Sequence, residues 1–135
     1  MTVTFQPFDV PGAQLVHGHA FPYGLQIHRP DGASSDVPTV EDAATALTAL
    51  AEAGRLSELL QLHGAVLIHG VGNPSADTFA RLINAAERAR GSHPFVQIGL
   101  AGKRTLVADN IWTANEGPSD RRFYQHNEVG LPAIH

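Results

Sequence analysis

The clearest alternation of apolar and polar positions runs from residue 39 to residue 91. After Thr39, apolar side chains recur at Val40, Ala43, Ala44, Leu47, Leu50 and Ala51. That spacing lays a single stripe along a helix. Thr39-x-x-Asp42 is similar to a capping box, with Asp in place of the usual Glu. Gly54 is the expected stop. Leu56, Leu59 and Leu60 continue a second helical stretch, which ends near Gly64. "AVLIH" (65–69) is a short apolar run between glycines and reads as a buried strand. Ser75 is placed to cap the next helix. Its apolar face is Phe79, Leu82, Ile83 and Ala86, and Gly91 ends it.

The pattern is weaker on both sides. Residues 2–5, Thr-Val-Thr-Phe, alternate and predict a short edge strand. "PGAQLVHGHAFPYG" is punctuated by Gly and Pro and reads as loop, with a short strand at "LQI" (25–27). "RPDGASSDVP" is a second loop. Beyond residue 91 the character turns to β. "FVQIG" (95–99) and "RTLVA" (104–108) predict a hairpin. "NIWTANEGPSD" reads as loop with one apolar patch, and "RFYQHNEV" (122–129) as an aromatic-rich strand. The order of helix, strand, helix and then several strands gives an α+β fold, or an all-β fold decorated with helices.

Composition narrows the function classes. The chain has 135 residues, 43% hydrophobic and 16% charged, with a net charge of −4. That is enough apolar material for one domain core. Lys and Arg form no basic stripe, so no nucleic-acid partner is expected. No apolar run is long enough to span a bilayer, and the N-terminus lacks a signal-peptide pattern. No membrane partner is expected, and the expected compartment is the cytoplasm. With no cysteine and eight histidines, imidazole and carboxylate are the available metal ligands.

One pair of such ligands stands out near the end. On a strand, His126 and Glu128 project to the same face while Asn127 points away. One imidazole and one carboxylate so placed can occupy adjacent corners around a metal ion. A further histidine would complete the 2-His-1-carboxylate triad of non-haem Fe(II) oxygen chemistry. The spacing alone is weak evidence. With 8 His and 13 acidic residues, chance supplies about one such pair.

Wider context adds specificity. "HGAVLIHGV" (63–71), the helix from Ser75, "TANE" (113–116) and "FYQHNEVG" (123–130) occur in that order. Together they resemble the taurine dioxygenase and clavaminate synthase-like family of Fe(II)/2-oxoglutarate-dependent dioxygenases, over roughly residues 20–135. The family has Arg where His69 stands and Phe where Val71 stands, which bears on local packing and not on the metal pair.

The resemblance implies a partial double-stranded β-helix (jelly roll) with N-terminal helices, truncated before the later strands. Residues 1–135 would be the N-terminal part of one domain. Within it, 1–38 form a strand and loop lead-in, 39–91 a helix–strand–helix unit, and 92–135 the start of the barrel with the metal-binding strand. His126 and Glu128 would be iron ligands and catalytic. The family's third ligand, a distal histidine, and the Arg that grips 2-oxoglutarate have no counterpart in this chain. The implied cofactor is Fe(II), with 2-oxoglutarate as co-substrate and a small organic molecule as substrate. Asn115 and Glu116 lie just before the metal strand in sequence, where they would either line a substrate cleft or sit in a solvated loop. The rival expectation is a non-catalytic remnant or binding module of the same fold.

The remaining candidates have blander readings. His135 would face Glu128 only across a tight "GLPA" hairpin. His17 and His19 sit in a loop, His63 and His69 flank a strand and are expected to cap or pack, and His93 precedes Pro94 in a turn. Trp112 and Phe123 are expected in the core. Arg121 and Arg122 are expected in solvent. "GLAGKR" lacks the spacing of a phosphate loop.

Overall fold

The computed structural model describes residues 3–29, 38–94, 104–113, 120 and 122. Over these residues the fold is α+β, as the hydrophobic pattern predicts. The elements are β1 (Thr4–Phe8), β2 (Gln14–Val16), β3 (His19–Phe21), β4 (Tyr23–His28), α1 (Val40–Glu52), α2 (Arg55–His63), β5 (Val66–His69), α3 (Ala76–Ala89), β6 (Leu106–Ala108) and β7 (Ile111–Trp112).

Three strands make the principal sheet, in the order β1-β4-β5. β1 pairs antiparallel to β4, with Phe5 opposite Ile27 and Phe8 opposite Gly24. β5 pairs parallel to β4, with Tyr23 opposite Val66 and Gln26 opposite His69. A parallel pair needs a crossover, and α1 and α2 supply it. The helices cover the face that carries Ile27 and Val66. On that face Val3, Ile27, Ala43 and Ala46 form one buried cluster, joined by Phe5, Val71 and Leu82. Ala51, Leu56 and Ala86 form a second, against Leu50, Leu60 and Val66. The opposite face carries Gln26, His28, Leu67 and His69, with Phe8 packed on the His69 ring at 5.4 Å. Gly24 lies beneath this pair. A Cβ there would run into the Phe8 carbonyl and sit 2.7 Å from Val10 Cγ2.

The helix boundaries follow from local chemistry. The Thr39 hydroxyl accepts the Asp42 amide at 3.1 Å, and the Asp42 carboxylate accepts the Thr39 amide at 3.0 Å. The capping box therefore forms in full. Gly54 is left-handed, with φ 75°, and turns the chain directly from α1 into α2. Gly64 closes α2 in the same conformation. Ser75 caps α3 through the Thr78 amide. Arg81 of α3 donates to both oxygens of Glu41 in α1, at 2.8 and 2.6 Å. This pairing holds the Glu41 carboxyl below its ordinary value and raises Arg81.

Several expectations need correction. The stretch read as loop contains a two-stranded hairpin, β2–β3, with Val16 opposite His19. His17 and Gly18 form its turn, with φ 52° and 83°. Two positive φ values in succession are the signature of a type I′ hairpin turn. The "LQI" strand extends to Tyr23–His28, and the first strand runs to Phe8. β5 is only half buried: Val66 and Ile68 face the helices, while Leu67 and His69 are exposed. On α3 Ala80 and Ala86 are buried and Leu82 packs on the first cluster, while Phe79 is 57% exposed. Small residues let α3 approach α1 closely, which rotates the larger side chains outward. Phe79, Leu82 and Ile83 line, with Leu60, Val66 and Ile68, an open apolar groove of about 860 Å3. Trp112, expected in the core, is 55% exposed. The predicted strand at 95–99 lies outside the described residues, and β6 pairs with β7.

Candidate functional site

His126, Glu128, Asn115 and Glu116 lie outside the described residues, as do His135 and Phe123. β6 and β7 form an antiparallel hairpin that turns at Asp109 and Asn110, the latter at φ 60°. Asn and Asp tolerate this left-handed backbone better than most residues. At the open end, the Thr113 amide donates to the Thr105 carbonyl at 2.9 Å, and the Thr105 amide donates to the Thr113 hydroxyl at 2.8 Å. Thr113 is the first residue of the "TANE" segment.

The tip is tied to α3 by polar contacts. Asn84 Nδ2 donates to the Asp109 carbonyl at 3.0 Å and to its carboxylate at 3.2 Å. Arg88 reaches the same carboxylate at 3.2 Å. Asn110 Nδ2 in turn donates to Asn84 Oδ1 at 3.2 Å. The ladder of the hairpin is interrupted between Leu106 and Ala108. With so few ladder bonds, this group of side chains sets its position on the helix.

Among the described residues, no group of three or more His, Asp or Glu is placed to hold a metal ion. The histidines divide by environment. His69 stacks on Phe8 on the open sheet face. His63, at the end of α2, packs on Tyr23 at 4.4 Å and on His19 at 5.7 Å. Its Nδ1 lies 2.8 Å from the Ala20 carbonyl. A carbonyl only accepts, so Nδ1 carries the proton and Nε2 the lone pair. His63 therefore packs, as expected, with its Nδ1–H donated to the hairpin backbone. His19, expected in a loop, is instead half-buried on β3. The sign of this was the His17-Gly18 dipeptide, which takes the place of the commoner Asn-Gly turn. His17 and His93 are exposed, as expected.

No helix among the described residues is long and apolar enough to cross a membrane. No family model matches the chain. A clavaminate synthase-like protein of Arabidopsis thaliana is 31% identical to it over 121 residues, which is 90% of this chain and 35% of that protein. The chain thus spans about a third of the length of the curated relative it matches, and the likeness runs through nearly all of its own residues.

Proposed function

We propose that this chain is the N-terminal part of a clavaminate synthase-like, Fe(II)/2-oxoglutarate-dependent dioxygenase acting on a small organic substrate. The observation that carries the reading is the 31% identity over 90% of the chain to a protein of that name. The ordered motifs from "HGAVLIHGV" to "FYQHNEVG" support it.

The donor chemistry fits the metal. His126 offers an imidazole nitrogen and Glu128 a carboxylate oxygen, a pairing that suits Fe(II) and leaves coordination positions for other ligands. Iron, when bound with 2-oxoglutarate, supplies the oxygen activation. The roles of this chain's residues are to hold and to position. His126 and Glu128 would fix the ion from one strand face, with the third ligand and the 2-oxoglutarate-binding Arg contributed by sequence after residue 135. Asn115 and Glu116 would follow directly from the Thr105–Thr113 closure and stand at the edge of a substrate cleft. The principal sheet, covered by helices on one face, would form part of the wall of a jelly roll.

The coding sequence downstream of His135 is the first test. An in-frame continuation with a distal His and Arg is expected, and a stop codon with no such sequence beyond it would refute the reading. The second test is succinate release from 2-oxoglutarate. The 135-residue chain should show none above background, while the continued chain should show it and lose it in His126→Ala. Iron-dependent succinate release by the 135-residue chain, lost on His135→Ala, would instead show a complete site within it.

A further inference from the structure

We infer that His63 and His19 form a second, separate metal site, a two-histidine clip for an imidazole-favouring divalent cation such as Zn(II), which would pin the β2–β3 hairpin to the end of α2.

The two rings come from elements far apart in sequence, yet their centroids lie 5.7 Å apart. With Zn–N bonds of about 2.0–2.1 Å, two imidazoles sharing one tetrahedral ion have ring centres roughly 5–6 Å apart. That spacing puts both rings within reach of one ion once the His19 ring has turned. His63 is prepared as a ligand. Its Nδ1–H is engaged by the Ala20 carbonyl at 2.8 Å, which leaves the Nε2 lone pair available. Metal-binding histidines commonly have their second nitrogen held by a carbonyl in this way. Tyr23, packed on the ring at 4.4 Å, limits its rotation. The last turn of α2 adds a favourable field, because the carbonyl end of a helix attracts cations.

His19 supplies the adjustable half. The rings meet edge to face at 80°. Coordination requires the His19 ring to turn about its Cβ–Cγ bond, a broad torsion with a low barrier. No third His, Asp or Glu stands with them among the described residues. Water would fill the remaining positions, and binding would be reversible. Imidazole donors without carboxylates select zinc, nickel or copper over calcium or magnesium. The inference is independent of the dioxygenase reading, which concerns His126 and Glu128.

The experiment is a titration of the 135-residue chain with Zn(II) alone, followed through the histidine ring C–H resonances. The His19 and His63 signals should move together along one saturating curve. His63→Ala and His19→Ala should each weaken that saturation about tenfold or more. His93→Ala, at an exposed histidine outside both sites, should leave it unchanged. His63→Ala also removes the bond to Ala20, so His19→Ala, which keeps that bond, is the decisive variant. Movement of one ring without the other, or an unchanged titration in His19→Ala, would overturn the inference.

Discussion

In the layer between α1 and α3, Ala43 and Ala44 are fully excluded from solvent, and Leu47 and Ala80 are each 3% exposed. In the hairpin β2–β3, Leu15 is 77% exposed, and β6–β7 leaves Leu106, Val107 and Trp112 largely in solvent. The helical layer is held by apolar burial, which is non-directional and scales with the area covered. The hairpins hang on a few directional bonds: His63 to Ala20 in one case, Asn84 and Arg88 to Asp109 in the other. Damage to the layer should therefore lower global stability. Damage to a hairpin tether should free one element and leave the rest intact.

Leu47→Ala strikes the layer hardest. It should cost about 2–5 kcal/mol, towards the low end because the neighbouring groove lets the site collapse. Urea unfolding followed by circular dichroism measures it, and a loss below half a kcal/mol would mean that the layer is not the stable unit. Gly24→Ala tests the sheet. The added Cβ meets Phe8 and Val10, and the overpacking should cost about 1–3 kcal/mol in the same measurement. Thr39→Ala removes one half of the capping box and should cost about 1 kcal/mol.

The acid side of the stability profile sharpens the same contrast. Asp42 titrates below its ordinary value of 3.8, first because it accepts the Thr39 amide, with Arg29 adding a smaller attraction. A lowered folded value means that the contribution is complete above the ordinary value. It fades as the pH falls through the lower, folded one. Asp42→Asn should therefore flatten the loss of stability below about pH 4 in an acid titration. The smallest global effect is expected for Asp109→Ala. Amide exchange at Thr113 should quicken severalfold, with the unfolding midpoint nearly unmoved. An equal rise in exchange across α1 would show that the hairpin and the layer unfold as one.

Which elements could be read from the sequence follows the same division. The three helices were readable because each carries a stripe and a chemical boundary: Thr39 with Asp42, Ser75, and the glycines at 54 and 64. The stripe on α3 did not say which of its residues would be covered. Periodicity locates a face, but the partner decides its centre, and here the small Ala80 and Ala86 won over Phe79 and Ile83. β2–β3 was missed because His-Gly is a rare way to write a turn that needs two left-handed residues. β5 was overestimated because an apolar run does not reveal whether both faces are covered. The metal pair was legible only as residue types at a suggestive spacing. His126 and Glu128 lie outside the described residues.

The parallel pairing of β4 with β5 has a kinetic consequence. An antiparallel pair can zip outward from a tight turn, as β2–β3 can. β4 can meet β5 only after the whole of α1 and α2 has been brought back across the sheet, so the entropy of closing that long connection is spent before the first bond of the ladder forms. During synthesis, β4 must wait until β5 has left the ribosome. In that interval its principal protection from pairing with another chain is β1, which comes earlier and can already lie along one of its edges. The antiparallel strand at the start of the chain therefore guards the sheet while its parallel partner is still being made.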